Sequence, residues 1–398
     1  MSAVSAGEAS VRIPAPAAGA GTRVLHLITT IDRGGAENHL VDLVRHQRDA
    51  GLEVTVAWLK GGGYWTEELR RLGVDVVPLG LRAYGDPRPL VRLRALVRRV
   101  RPALLHAHLP PGELYARAAL TGGLRRIPLV LSKHNDAPFY RTDIPGVRAL
   151  GRWIGRRAAG VICISDAVRA RVLDEGLVSS PDRAVTVPYG LDTCPFAAVD
   201  PDAVRRLRDE WGAGGGTVLF GTAARMVPQK SLETLLEGFA ALRRRRPDVD
   251  ARLVLVGRGE LEDALRARAE ALGIAAACVW AGFREDIPTV MNALDVFVLT
   301  SLWEGLGLVL LEAMAAARPV VATRVSAIPE IVDDGRTGTL FPPGDAAALA
   351  VALEAFLDPA HRRAYGEAGR ERAQGYTVER MGAATLEVYR RALAPAAP

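Results

Sequence analysis

Lysine is nearly missing from this chain of 398 residues. Lys60, Lys133 and Lys230 are the only three, and the other 48 of its 51 basic residues are arginine. A broad compositional bias accounts for the arginines, so the surviving lysines carry information, because a compact ammonium is not cleanly replaced by a guanidinium. Cysteine is also scarce. Cys163, Cys194 and Cys278 are odd in number and far apart, which excludes a paired disulfide framework and a metal-ligand spacing and favours a reducing, cytoplasmic setting. Aromatics make up only 6% of residues and the +6 charge is dispersed along the chain. A nucleic-acid partner, which would need a concentrated basic face with interleaved aromatics, is therefore not expected. No apolar run reaches the ~18 residues of a membrane span. Residues 1–22 are rich in Ala, Gly, Ser and Pro without a long apolar stretch, and read as a disordered leader rather than a signal peptide.

What is present is a regular alternation of short β-branched runs and helical periods. Strands are expected at Arg23–Thr30, Glu53–Leu59, Val74–Leu79, Ala103–Leu109, Pro128–His134, Val161–Ser165 and Ala184–Pro188, then at Thr217–Ala223, Arg252–Val256, Cys278–Ala281, Val296–Thr300, Pro319–Thr323 and Thr339–Phe341. Helical patterns such as Ala36–Ala50, Pro89–Arg101, Ser231–Arg245, Leu261–Leu272, Leu306–Ala317 and Ala346–Phe356 lie between them. This implies an α/β protein with parallel sheets covered on both faces. So many strands overfill one ordinary sheet, and the alternation pauses near Leu191–Asp202. Two Rossmann-like domains facing across a cleft are expected, at 23–195 and 196–375, with 376–398 forming a last helix. A single barrel is the competing architecture.

Four stretches carry chemistry. Ser301-Leu302-Trp303-Glu304-Gly305-Leu306-Gly307 follows a buried strand and opens an apolar helix that contains Glu312. Gly305, Leu306 and Gly307 would expose amide groups at a helix start, a place that favours anions. Glu304 and Glu312 could hold two hydroxyl-bearing parts of one elongated ligand; the plainer alternative is a capping Glu304 and a solvated Glu312. A carboxylate flanked by Leu310, Leu311, Ala313 and Met314 is costly to bury without a partner. Arg225 and Lys230, five residues apart in a strand-to-helix loop, suit a pyrophosphate. Asp32-Arg33-Gly34-Gly35-Ala36-Glu37 closes the first strand, where Gly34 and Gly35 permit close backbone approach. Ser132-Lys133-His134-Asn135-Asp136 ends another strand and reads as a polar cluster. His106 and His108 share one strand face; without a third ligand they are read as structural or acceptor-rim residues rather than a metal site.

Glu304 and Glu312, with seven residues between them, resemble the E-x7-E motif of glycosyltransferase family 4. Arg318–Thr323 and Ile328–Val332 resemble the same family, as does Pro188-Tyr189-Gly190-Leu191-Asp192, with Tyr189 in place of the usual Asn. The resemblance implies the two-domain GT-B fold and a retaining transferase that moves a sugar from a nucleoside-diphosphate donor to a hydroxyl acceptor, with UDP-sugars the first choice and GDP-mannose next. It assigns Glu304 to the donor sugar, Glu312 to the ribose, Arg225 and Lys230 to the diphosphate, Gly34 and Gly35 to a loop near donor and acceptor, and His134 to the reacting carbon. Glu37, His108, Lys133 and Asp136 are acceptor-side candidates. No cofactor or metal is expected. The last helix is expected to cross back onto the first domain. Arg88–Arg101 and Arg148–Arg157 leave open a weak peripheral contact with an anionic inner membrane surface, against a solvated helix face. An epimerase acting on UDP-GlcNAc and a non-catalytic sugar-nucleotide-binding protein are the alternatives.

Overall fold

The computed structural model describes residues 20–83, 85–136 and 146–394; the leader lies outside them apart from its last three positions. Thirteen strands fall where the β-branched runs place them. They are β1 (Arg23–Ile28), β2 (Glu53–Trp58), β3 (Asp75–Pro78), β4 (Leu104–His108), β5 (Leu129–Lys133), β6 (Gly160–Cys163), β7 (Ala184–Thr186), β8 (Val218–Ala223), β9 (Ala251–Val256), β10 (Cys278–Gly282), β11 (Val296–Leu299), β12 (Val320–Thr323) and β13 (Gly338–Phe341). They form two sheets, ordered β3-β2-β1-β4-β5-β6-β7 and β10-β9-β8-β11-β12-β13. Every strand pairing within them is parallel. Central strands such as β4 and β11 are buried along their whole length, as sheets covered by helices on both faces require.

Each sheet has one place where the strand order reverses: between β1 and β4 in the first, and between β8 and β11 in the second. A crevice opens at the carboxyl ends of the strands at such a switch point, and it is where ligands of open α/β sheets bind. The loops after β1, β8 and β11 are the three glycine-rich or cationic stretches singled out from the sequence. Within the second sheet, strand order alone sets the loop of Lys230 beside that of Glu304, 74 residues further along the chain.

The expected pause in the pattern is not empty. It holds the helices Cys194–Ala197 and Pro201–Glu210, which pack against Ile287–Ala293 of the second sheet's layer. The final helix, Val378–Leu393, packs on Gly35–Asp49 and on β4, β5 and β6 of the first sheet. Glycines make this possible. A Cβ at Gly382 would lie 2.1 Å from the His46 ring, and one at Gly190 would meet the Thr377 carbonyl at 2.5 Å. Leu191 N donates to the Tyr376 carbonyl at 2.8 Å, so the two crossings between the halves run side by side. No helix of the described residues is long and apolar enough to cross a membrane.

Candidate active site

The loop after β8 and the loop after β11 are sewn into one surface. Lys230 Nζ donates to Glu304 Oε1 at 2.5 Å, and the Ser301 hydroxyl donates to the same oxygen at 2.6 Å. Thr300 Oγ1 donates to the Lys230 carbonyl, Gln229 Nε2 to the Trp303 carbonyl, and Leu302 N to the Gln229 carbonyl, each at 2.8 Å. Thr323, at the end of β12, holds the Ser301 carbonyl at 2.6 Å. Ser231, next to Lys230, sits at φ 46°, a left-handed conformation that costs a non-glycine residue energy and is kept only where the surroundings impose it. The helix after Glu304 starts at Leu308 rather than Leu306 because Gly307 also turns left-handed, at φ 86°.

Two charged groups on this surface have no side-chain partner among the described residues. Arg225 is exposed and makes no ion pair. Glu312 is half-buried, with burial raising its carboxyl to about 7, since no cation offsets the loss of water. A diphosphate beside Arg225 and a hydroxyl beside Glu312 would satisfy both.

A turn not anticipated as part of the site packs against the Arg225 loop. In Gly257-Arg258-Gly259, a Cβ at Gly257 would lie 2.0 Å from the Ala224 carbonyl, and Met226 N donates to the Arg258 carbonyl at 3.0 Å. A Gly-x-Gly turn directly after β9 was the available signal.

The first sheet's rim meets this surface directly. The Ser165 hydroxyl caps the helix Asp166–Asp174 by accepting from Val168 N, and donates to the Gly305 carbonyl at 2.7 Å. A Cβ on Gly305 would stand 2.5 Å from the His134 carbonyl oxygen and 2.9 Å from Ile164. Glu330 reaches the other way. Its carboxylate accepts from Asp166 N and Ala167 N, both at 2.8 Å, at the positive end of that same helix. Arg33, in the first glycine loop, pairs with Glu285 and stacks over the rings of Tyr64 and Phe283 at 4.0 and 4.8 Å.

The structure thus brings His134, Lys230, Glu304 and Gly305 together, with Gly34 and Gly35 at the opposite loop. Gly35 has open space where a Cβ would go, whereas Glu37 folds back over Gly34 and accepts from Thr30 at 2.6 Å. Three acceptor-side candidates are buried or already paired. Lys133 is 2% exposed and paired with the buried Glu113 at 2.6 Å. His108 is fully buried on β4. Asp136 is tied to Arg171 at 2.9 Å. Strand residues flanked by buried neighbours point into the layer, not into the cleft, and an inward-facing ion needs its partner there.

One reading about metal binding also changes. A third histidine does join the pair on β4: ring nitrogens of His26, His106 and His108 lie within 4.8 Å of one another. Each nitrogen is already in a hydrogen bond, however. Asp-x-Asp sequences occur at 200–202 and 248–250. The second lies at the amino end of β9, away from the site, with Asp248 paired to Arg246 and Asp250 accepting from Thr217.

Two facing Rossmann-like sheets with this cationic and acidic rim define the GT-B class of glycosyltransferase. The chain belongs to the glycosyltransferases of group 1 and family 4: the model of "Glycosyl transferases group 1" matches residues 217–358 and that of "Glycosyltransferase Family 4" matches residues 33–194. It is 34% identical to the GDP-mannose-dependent alpha-(1-6)-phosphatidylinositol monomannoside mannosyltransferase of Mycolicibacterium smegmatis, over 85% of this chain and 90% of that one. It is 31% identical to the phosphatidyl-myo-inositol mannosyltransferase of the same organism, over 89% and 90%. The crystal structure of Anabaena HepE with UDP and glucose shares the fold at a TM-score of 0.80 and 22% identity, covering 92% of this chain and 99% of that one. The chain is a glycosyltransferase.

Proposed function

We propose that this enzyme moves a hexose, with retention of anomeric configuration, from a nucleoside-diphosphate sugar to a hydroxyl of an anionic polyol or polyol headgroup. The observation that carries the reading is the joined surface of Lys230, Glu304 and Ser301, flanked by the unpartnered Arg225 and Glu312. In this reading Arg225 and Lys230 take up the charge that develops on the diphosphate as the sugar–phosphate bond breaks, an electrostatic role that needs no protein nucleophile. Glu304 orients the sugar hydroxyls and Glu312 the ribose. The acceptor oxygen bonds to the anomeric carbon on the face the phosphate leaves, and its proton passes to the departing phosphate. The contacts of Gly305 with His134 and Ser165 close the two halves and keep water out.

Two relatives covered over nine-tenths of their own length are named as a phosphatidylinositol monomannoside mannosyltransferase and a phosphatidyl-myo-inositol mannosyltransferase. The first of them, GDP-mannose-dependent by its name, puts GDP-mannose ahead of UDP-sugars as the donor to test first. The acceptor side offers a cavity of about 350 Å³ at the ends of β2 and β3, lined by Trp58, Lys60, Gly61, Arg82, Arg88 and Arg92. Asp32 fastens its Gly61–Gly63 edge to the first glycine loop by accepting from Gly63 N at 2.9 Å. A basic cavity of this kind fits a phosphate-bearing polyol. The helix Val147–Gly155 turns Arg152 and Trp153 outward and buries Ile154, a face suited to an anionic membrane surface.

The test is a thermal-shift screen of GDP-mannose, UDP-glucose and UDP-GlcNAc, followed by mass spectrometry of products with inositol phosphate and phosphatidylinositol vesicles, with and without EDTA. Transfer that survives the chelator is expected. Turnover of UDP-GlcNAc with no acceptor would favour an epimerase, and donor binding without product from any acceptor would favour a binding protein.

A further inference from the structure

Behind His134 the imidazole rings form a single file of hydrogen bonds. Tyr189 Oη is 2.6 Å from His134 Nδ1, His134 Nε2 is 3.1 Å from His108 Nδ1, and His108 Nε2 is 3.0 Å from His26 Nδ1. His26 Nε2 is 2.9 Å from Gln47 Oε1, and Gln47 Nε2 donates to Tyr389 Oη at 3.0 Å. Tyr389 Oη is 2.6 Å from His106 Nδ1, whose Nε2 is 2.7 Å from the Ser132 hydroxyl. His26, His106, His108 and Tyr389 are fully buried. The file starts at the cleft, beside Gly305, passes through Tyr389 of the last helix and returns to Ser132 on β5.

The proton order along this file follows from valence. The Gln47 carbonyl only accepts, so His26 carries its proton on Nε2 and accepts on Nδ1. His108 must then donate from Nε2, and so must His134, which accepts from Tyr189. Tyr389 accepts from Gln47 and gives its own proton to His106, which donates to Ser132. Every ring is neutral in this arrangement; a second proton on His26 or His108 would set two N–H groups against each other. Burial pushes the same way, lowering His26 to about 4 and His134 to about 3, and His106 and His108 well below their ordinary value. Among the described residues, the other titratable groups facing His134 are the His39 ring, 5.6 Å away, and the neighbouring Lys133, which is paired to Glu113.

We propose that Tyr389, Gln47, His26 and His108 are positioning residues for the transfer reaction: through one ordered file of hydrogen bonds they lock His134 as its Nε2–H tautomer, tie both its ring nitrogens to the first domain, and so fix its carbonyl against Gly305 at the closing cleft. The last helix is then part of the active-site support and not only a brace between domains. The kinetic half of this inference rests on the transferase reading above; the tautomer half does not.

Long-range proton–nitrogen NMR on the full chain labelled with 15N-histidine tests it without substrate. The expected result is four neutral Nε2–H rings for His26, His106, His108 and His134, unchanged from pH 8 down to about 5. In Tyr389→Phe, Gln47 loses its acceptor and is free to flip, so mixed tautomers at His134 are expected, with kcat lower by roughly tenfold and KM little altered. Nδ1–H tautomers at His108 or His134 in the natural protein, a network ring that titrates near its ordinary value, or stoichiometric Zn²⁺ capture by the three clustered rings would overturn the proposal. So would a folded Tyr389→Phe protein with native tautomers and native kcat. Absence of any transferase activity beside the expected spectrum would instead count against the assigned reaction.

Discussion

Lys230 and Glu304 are 74 residues apart in the chain and joined at 2.5 Å in the folded protein. Their ion pair is mostly shielded from solvent, with side chains 15% and 10% exposed. A pair held this way, at the switch point of a parallel sheet, is preorganised: neither group has to be collected when a ligand arrives.

Replacing either member by alanine is expected to lower kcat/KM by roughly tenfold to a hundredfold. Circular dichroism and thermal melting should show a folded protein in both cases. Native rates in a purified Lys230→Ala or Glu304→Ala variant would remove these residues from the site.

Glu312 gives a prediction with a definite sign. Its carboxyl is raised from an ordinary 4.5 to about 7 by burial. Between those values the folded chain holds a proton that the unfolded chain has released, so this group lowers stability as pH rises from 4.5 to 7. Glu312→Gln should therefore melt higher than the natural protein above pH 7 and bind donor nucleotide more weakly. Natural-protein affinity for the nucleotide should rise with pH up to about 7 and then level off, because the ionised carboxylate is the stronger acceptor. Calorimetry at two pH values on each side of 7 decides the matter; a flat affinity profile would be the contrary result.

Gly305→Ala should separate closure from folding. The new Cβ would press on the His134 carbonyl and on Ile164. Each half has its own sheet, so both should stay folded while the cleft is wedged open. Small-angle scattering is expected to show a protein that no longer compacts on adding donor, with transfer largely lost. Native compaction and activity would mean that this contact is not made during turnover.

Five buried histidines predict acid sensitivity. His26, His39, His106, His108 and His134 all have lowered pKa values, caused first by burial. Unfolded, each would take up a proton near pH 6.5 that the folded protein refuses until much lower pH, so stability falls as pH drops through and below 6.5. Glu312 opposes this, but as one group against five. The melting temperature should climb between pH 4.5 and 6.5; a flat profile there would show that the rings are charged in the folded state.

The period of the hydrophobic pattern was enough to place thirteen strands, because residues buried on both faces of a parallel sheet must be continuously apolar. The loops that follow β1, β8 and β11 were also legible, since glycine pairs, an isolated lysine and two carboxylates in apolar surroundings are local anomalies. Some expected strands run a residue or two too long, as Pro128–His134 against Leu129–Lys133, where the chain leaves the sheet toward the cleft, and others fall a residue short, as Thr339–Phe341 against Gly338–Phe341. The helix after Glu304 was read two residues early, because Gly307 takes a left-handed turn that apolar periodicity does not reveal.

The sequence by itself determined the two sheets, their order along the chain and the chemical character of the three loops, all of which depend on residues close together in the chain. Tertiary structure alone decided the rest. It buried Lys133 and His108 rather than presenting them to an acceptor, supplied His26 from a neighbouring strand, joined Tyr389 of the last helix to histidines of the first sheet, and set Gly305 against His134. Those relationships are contacts between segments far apart in the chain, fixed by strand order and helix crossing, and no local pattern encodes which distant residue will fill a given gap.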